Sequence, residues 1–523
     1  MKLLSSFSLV LAALASATNI KNVLQNAGIK VIGPGDPEYT TDILSYNLRF
    51  HYQPAVIAFP VNASQVSEAV KAGSSFNLSV TARSGGHSFI ANALGDGRLV
   101  VDLSFMKNIT VIQNGLATDA HIETGNRLGD VALALNEHGR AIPHGLFAYV
   151  GIGGHSGHGG YGLTSRMWGL TLDRIRQVEV VLANATLTTA SLTINPDLFW
   201  GITGSSSSFG IVTKIVFETF PAPDYAIAFE YQWNLDYVTA AKALGDYQDY
   251  VNSIPTELGL AVLWNRGNAT GYVSFVFGGA WYGPEGQVES VLQPFLDMLP
   301  SPIFGVSIGN GTWIDNLATL NSGPLDTSLR PDTNDTFYVK SLVTPQEEPM
   351  DDIARLQFMK HLAIEGFATP LTWFVQMGLY GGNSSAINAV PVDATAYAHR
   401  DSMFTMQVQV TQTPVFTEDG FSFVDGVVSA ITDNMPPDWD YGSYLNYIDD
   451  RLVDCKSTSG RSMCKYSLRD FLGQQRYYGV HYPRLQDLKR TYDPTNLFRF
   501  PKSIELDHGH NDRAPLHPTQ LMP

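Results

Sequence analysis

Apolar and polar positions change regime three times along the chain. A short positive start, Met1-Lys2, is followed by an apolar run from Leu3 to Ala15 that closes on Ala15-Ser16-Ala17. The run is too short to span a bilayer and ends in an A-x-A cleavage pattern, which predicts a signal peptide over residues 1–17. No later stretch is an apolar run of membrane length. Short, fully apolar runs then alternate with helical periodicity. Ala55 to Phe59, Val80-Thr81, Leu99 to Leu103, Val178 to Leu182 and Ile211 to Phe217 read as buried strands. Ser64 to Phe76 and Gly125 to His138 carry apolar residues at helical spacing.

Phe220-Pro221-Ala222-Pro223 marks a boundary, and the pattern beyond it changes character. Ala226 to Trp233, Gly271 to Phe277, Leu371 to Leu379 and Met403 to Val410 read as long strands, several with period-2 alternation. Asn234 to Val251, Pro284 to Leu299 and Asp419 to Asp433 read as amphipathic helices. Together they predict an α+β unit with an antiparallel sheet covered by helices on one face. The expected division is 18–222, 223–464, a segment 465–504 that returns to the first unit, and a loose tail 505–523.

Composition narrows the class. A chain of 523 residues exceeds the usual single core, so two domains are expected. With 44% hydrophobic and 16% charged residues, general disorder is excluded. The net charge of −16 disfavours nucleic acid and anionic membrane as partners. Eight N-x-S/T sequons, at Asn62, Asn77, Asn108, Asn184, Asn268, Asn310, Asn334 and Asn383, fit an exported, glycosylated protein. In an oxidising compartment Cys455 and Cys464 can close one small disulfide; two free buried thiols are the alternative.

Three stretches carry the chemistry. The first is Thr81-Ala82-Arg83-Ser84-Gly85-Gly86-His87-Ser88, between two expected strands. Its paired glycines let the backbone approach a ligand, and consecutive N–H groups can form an anion nest. An ordinary glycine-rich hairpin would also satisfy this stretch alone. The second runs from His144-Gly145 through Phe147 and Val150-Gly151-Ile152-Gly153-Gly154-His155-Ser156-Gly157-His158-Gly159-Gly160-Tyr161-Gly162. The third is Tyr477-Tyr478-Gly479, followed by Tyr492 to Phe498 and Pro501-Lys502-Ser503-Ile504. His144, His155 and His158 lack a neighbouring Cys, Asp or Glu in a recognised metal spacing, so no metal is expected.

In this order and spacing the three stretches resemble the berberine-bridge-enzyme-like flavoproteins of the vanillyl-alcohol-oxidase/PCMH superfamily, from Tyr46-Asn47-Leu48-Arg49 to Ile504. The resemblance, closest in type to fungal oligosaccharide oxidases, implies a PCMH-type FAD-binding domain with an α+β substrate domain. It maps His87 onto the histidine bonded to the flavin 8α-methyl, and implies cofactor contacts from Arg83, Ser84, Gly85, Gly86 and Ser88. It extends these to Val150, Gly151, Gly153, Gly154, His155, His158, Gly159, Tyr161, Gly162, Gly210, Ile211, Tyr477 and Tyr478. Relatives with a second link place a cysteine two residues after the glycine matching Gly145; here that residue is Phe147, so a single link is expected. Val150 with His155 is the pattern associated with oxygen reactivity, and His158 departs from the usual glycine.

Oxidation of an alcohol by flavin needs a base for the hydroxyl proton. Tyr444-Leu445-Asn446-Tyr447 resembles the segment that supplies a catalytic tyrosine, which assigns Tyr447 as the base or its relay. A tyrosine with an ordinary pKa near 10 needs a charged partner. Sugar-oxidising relatives supply an aspartate before the segment matched by Ala396-Tyr397-Ala398-His399-Arg400; Ala394 takes the aligned place, with Asp393 beside it as the candidate. Trp264, Trp281, Tyr282, Trp313, Trp373 and Tyr380 serve either as core or as sugar-stacking surfaces. The leading expectation is a secreted, monomeric FAD oxidase of an oligosaccharide reducing end, with oxygen as acceptor. An oxidase of alkaloids, polyketides or other secondary metabolites is the runner-up, and a flavin-loaded binding protein with little turnover is the alternative of another class.

Overall fold

The computed structural model describes residues 19–452 and 470–506. The segment 1–17 expected to be a signal peptide, Cys455, Cys464 and most of the tail lie outside the described residues.

The chain is an α+β molecule built on three principal sheets. The first has four strands in the order Lys30–Ile32, Val56–Phe59, Leu99–Asp102, Val80–Arg83, and the last three run parallel. Val56–Phe59 and Leu99–Asp102 are buried along their whole length, as parallel strands covered on both faces must be. Helix Ala63–Ser75 makes the crossover; Asn62 caps it by accepting from the Gln65 N–H at 3.0 Å. The loop carrying His87 leaves the carboxyl end of Val80–Arg83, the end at which open α/β sheets bind ligands.

The second sheet is antiparallel, in the order Ile109–Asn114, Ala117–Glu123, Gly210–Glu218, Ile175–Leu182, Leu187–Ser191. The third has seven antiparallel strands: Phe304–Gly311, Ala226–Asp236, Tyr272–Trp281, Leu258–Arg266, Thr372–Leu379, Ser402–Thr411 and Phe337–Pro345. Period-2 alternation gives this sheet two different faces. Trp373, Val375, Met377, Met406, Val408 and Val410 enter one large core with helices Tyr237–Tyr250, Asp352–Ala368 and Glu418–Thr432. Phe374, Gln376, Gln407 and Gln409 face the other way, towards the first two sheets.

The chain's last described segment packs on its first half. Leu497 and Phe498 join the core of the four-stranded sheet, and the Val80 N–H donates to the Leu497 carbonyl at 3.1 Å.

Candidate functional site

The two glycine-rich loops meet backbone to backbone. A Cβ on Gly85 would lie 2.3 Å from the Gly151 nitrogen, and one on Gly151 would lie 2.1 Å from the Gly85 nitrogen. No side chain fits at either position, so glycine is required for the contact. The Ser84 hydroxyl donates to the Thr124 carbonyl and accepts from the Gly153 N–H at 3.3 Å, which ties both loops to the second sheet. Beside this junction opens a cavity of about 760 Å³, towards the upper end of the ~300–1,000 Å³ usual for cofactor sites.

His87 lines the cavity between two aromatic rings, with Tyr46 at 4.1 Å and Phe147 at 5.3 Å between centroids. Its Nε2 is 2.6 Å from Asp332 Oδ2. Two further histidines of the cavity, His155 and His158, are held neutral by burial. Burial, reinforced by His144, pushes the His155 imidazole down to about 3, and its Nε2 accepts from the Gly145 N–H at 3.1 Å. Burial takes His158 down to about 4, with Nδ1 on the Gly154 carbonyl at 3.0 Å and Nε2 on the Ser207 hydroxyl at 2.9 Å. His144 turns its Nδ1 to the Gly145 carbonyl at 2.7 Å, so His144 and His155 hold the two sides of the Gly145 backbone while His158 bonds Gly154 and Ser207.

The opposite wall comes from Ser443 to Ile448 and the large sheet. The Tyr444 N–H donates to the Ser341 hydroxyl at 2.9 Å, fixing the segment against strand Phe337–Pro345. Its phenol oxygen accepts from the Gly160 N–H at 2.9 Å, the Tyr161 N–H at 3.2 Å and the Asn446 amide at 3.0 Å. Tyr447 stacks on Phe89 with centroids 5.7 Å apart and meets Tyr444 edge-on at 5.0 Å. Burial raises the Tyr447 phenol well above its ordinary value, and Tyr444 and Tyr161 add to the effect. On the sheet, Gln376 stands opposite Gln407, whose amide donates to Gln409 at 2.9 Å. Among the described lining residues none is an Asp or Glu, and Arg499 is the one Lys or Arg.

This arrangement fits a large cofactor with an anionic portion: close-packed glycine backbone, a histidine and an aromatic wall around one elongated space. Comparison with known proteins identifies the cofactor. Residues 54–191 match the FAD-binding domain family, and residues 443–505 match the berberine and berberine-like family. The chain is 34% identical to the xylooligosaccharide oxidase of Thermothelomyces thermophilus over 507 residues, 94% of this chain and 95% of that one. It is 34% identical to the FAD-linked oxidoreductase dpmaF of Metarhizium anisopliae, over 92% of this chain and 90% of that one. A solved glucooligosaccharide oxidase of Acremonium strictum, described as carrying 6-S-cysteinyl, 8α-N1-histidyl FAD, superposes with a TM-score of 0.83 at 29% identity, covering 93% of this chain and 99% of that chain. The chain belongs to the berberine-like FAD-linked oxidoreductases. It is an FAD-dependent enzyme of the class that oxidises a CH–OH carbon with oxygen as acceptor.

In this oxidoreductase the cavity brings together Ser84, Gly85, Gly86, His87, Ser88, Val150, Gly151, Gly153, Gly154, His155, His158, Tyr161, Gly162, Gly210, Ile211 and Tyr447. Five expected residues stand elsewhere. Arg83 turns away to pair with the buried carboxylate of Asp102 and the Asp42 carbonyl. Gly159 packs under the Tyr444 and Tyr397 rings, where a Cβ would be 2.7 Å from Tyr444. The Tyr477 hydroxyl accepts from the Asp449 N–H at 2.8 Å, and the Tyr478 hydroxyl donates to the Lys502 carbonyl at 3.1 Å; both are buried props behind the cavity. Asp393 sits on the exposed turn Val392–Ala394, and its carbonyl, not its carboxylate, is engaged, by the Trp200 indole at 2.8 Å. It cannot partner Tyr447.

Trp264, Trp281, Tyr282, Trp313, Trp373 and Tyr380 are all buried core residues outside the lining. The berberine-like oxidoreductase lines its cavity instead with Tyr46, Phe89, Phe374, Gln376, Gln407 and Gln409. Gln407 and Gln409 had a local signal, a polar residue at every second place from Thr405 to Thr411, whereas Gln376 is a single polar residue in the apolar run 373–379. Asp332 had none; 245 residues separate it from His87.

Proposed function

We propose that this chain is a secreted, monomeric oxidase that removes a hydride from the reducing-end carbon of a neutral oligosaccharide, giving the lactone and reducing oxygen to hydrogen peroxide. The observation that carries the reading is the Tyr447 hydroxyl. It has no protein partner among the described residues and borders a cavity walled by glutamine amides. Amides donate and accept equally, which suits an uncharged ligand rich in hydroxyls. The substrates named for the xylooligosaccharide and glucooligosaccharide oxidases support the same class.

When bound, FAD supplies the hydride acceptor. The chain's own residues orient the substrate through Gln376, Gln407 and Gln409, and Tyr447 receives the hydroxyl proton. His87 is the single attachment point for FAD, because Phe147, not a thiol, stands beside it. All eight sequon asparagines are exposed, which supports export and glycosylation.

Oxygen uptake with cello-, xylo- and chito-oligosaccharides tests the substrate class, and at least one series is expected to be oxidised. A second reading is favoured by the acid-free lining and by Phe89, Phe147 and Phe374: oxidation of an aromatic or heterocyclic alcohol. Uptake confined to such alcohols would replace the first reading. For the attachment, a tryptic peptide bearing flavin mass on His87 alone is expected, and His87→Ala is expected to leave flavin removable by acid.

A further inference from the structure

We propose that Asp332 is the positioning residue for covalent flavin attachment: it holds Nε2 of His87 so that Nδ1 is the nitrogen that bonds to the flavin. The inference rests on the reading of His87 as the attachment site. It goes further in naming the side chain that orients the imidazole and the segment that delivers it; the nitrogen it leaves free agrees with the N1-histidyl link named for the glucooligosaccharide oxidase.

Asp332 lies between helix Trp313–Leu320 and strand Phe337–Pro345, on a stretch that crosses back from the large sheet to the glycine loops. That stretch is pinned on both sides of Asp332. The Thr327 N–H and hydroxyl donate to Asp130 at 3.1 and 2.8 Å, and the Tyr149 hydroxyl donates to the Arg330 carbonyl at 2.7 Å. Beyond it, the Asn334 amide donates to the Ser45 carbonyl at 2.8 Å, and the Leu48 N–H donates to the Asp335 carbonyl at 2.8 Å. The carboxylate is thus carried by a fixed backbone, with Oδ2 2.6 Å from His87 Nε2.

A carboxylate accepts only, so in the neutral imidazole, the form that can attack, the hydrogen is on Nε2 and the lone pair on Nδ1. Nδ1 has no protein partner among the described residues, and the Tyr46 and Phe147 rings restrict rotation of the imidazole. In the attachment step the Nδ1 lone pair forms a bond to the 8α carbon, and that carbon loses one hydrogen as a proton. The positive charge that develops on the imidazole is held by Asp332 until the Nε2 proton leaves. The two electrons of the broken C–H bond reduce the flavin, and dioxygen takes them with the two protons released to give hydrogen peroxide. Flavin, histidine and oxygen are consumed one to one to one. The carboxylate acts as the third member of a catalytic triad does, fixing one tautomer and stabilising the imidazolium.

Wild-type protein, Asp332→Asn and Asp332→Glu are purified, saturated with FAD in air, and sampled over time for acid-precipitable flavin. The digested aminoacyl-flavin is then typed by its linked nitrogen. Wild type is expected to carry an Nδ1 link. Asp332→Asn is expected to bind FAD normally but to attach it about tenfold more slowly or worse, and Asp332→Glu to recover most of the rate. Attachment by Asp332→Asn at the wild-type rate, no recovery with Asp332→Glu, or an Nε2 link in wild type each overturns the inference. Loss of FAD binding itself in Asp332→Asn also overturns it, by assigning Asp332 to the fold. Flavin found on a residue other than His87 overturns the attachment reading as well.

Discussion

Tyr447 lines the cavity and is the residue proposed above to receive the substrate proton. Its pKa is raised by burial first, with Tyr444 and Tyr161 adding to it; among the described lining residues there is no Asp or Glu, and Arg499 is the one Lys or Arg. A raised pKa means that the phenol is protonated at neutral pH and that the basic form grows as pH rises. If Tyr447 is the base, log kcat/KM is expected to climb with pH through 7 to 9, about tenfold per unit below the phenol's pKa. His155 and His158, pushed down to about 3 and 4, are neutral throughout that range and add no limb of their own. A rate that is flat from pH 6 upward would remove Tyr447 from the role. Tyr447→Phe is expected to lower kcat by on the order of 10²–10⁴ while flavin stays attached to His87, which stopped-flow reduction and acid precipitation measure separately. The place of Tyr447 in the cavity wall was legible because it sits in a recognisable segment. Asp393 was misread because proximity in sequence to the Ala396–Arg400 segment says nothing about which way a turn faces.

The glycine loops form an element that only works as a pair. Gly85→Ala places a methyl group against the Gly151 backbone, which cannot yield as a flexible side chain would. The expected cost is about 1–3 kcal/mol, read as a lower unfolding midpoint together with reduced flavin content in the purified protein. A midpoint unchanged from wild type would mean that the loops do not touch. Both loops were legible from glycine spacing, as were the parallel strands, whose apolar runs have no polar interruptions. Other elements were not. Strand Phe304–Gly311 contains Gly305, Gly309 and Gly311, a composition that weakens strand propensity, and it is held at the sheet edge by pairing with Ala226–Gln232. Strand Leu258–Arg266 buries Leu258, Leu260, Val262 and Trp264 on one face, but the apolar Ala261 and Leu263 on the other face mask that alternation in the sequence. Helix Asp352–Ala368 is flanked by Tyr237–Tyr250 and Glu418–Thr432, so its apolar residues are not confined to one stripe.

Across the whole molecule, the cavity exists because the large sheet is locked to the flavin-binding half. One lock is Arg400 with Asp173, a buried two-bond pair at 2.7 and 3.0 Å that joins residues 227 apart. Removing the guanidinium leaves a buried carboxylate without its partner, so Arg400→Ala is expected to destabilise by roughly 3–5 kcal/mol. Denaturant unfolding checks this, and a change within error would show the pair to be dispensable. The outer surface makes a separate statement. Eight sequon asparagines spread along the sequence all reach solvent, including Asn62 at a helix N-terminus and Asn334 beside the Asp332 segment. If the chain is exported, as proposed, none of these sites would force a glycan into the core. Protein made through a secretory host is therefore expected to lose several glycans' mass on endoglycosidase treatment, with the occupied sites found by peptide mapping among those eight. Because Asn334 flanks the segment that delivers Asp332, Asn334→Gln is expected to leave covalent flavin unchanged only if that segment is held by Asp130, Tyr149 and the Leu48–Asp335 bond without the Ser45 contact. A parallel fall in covalent flavin would show that the anchor at Ser45 also sets the imidazole.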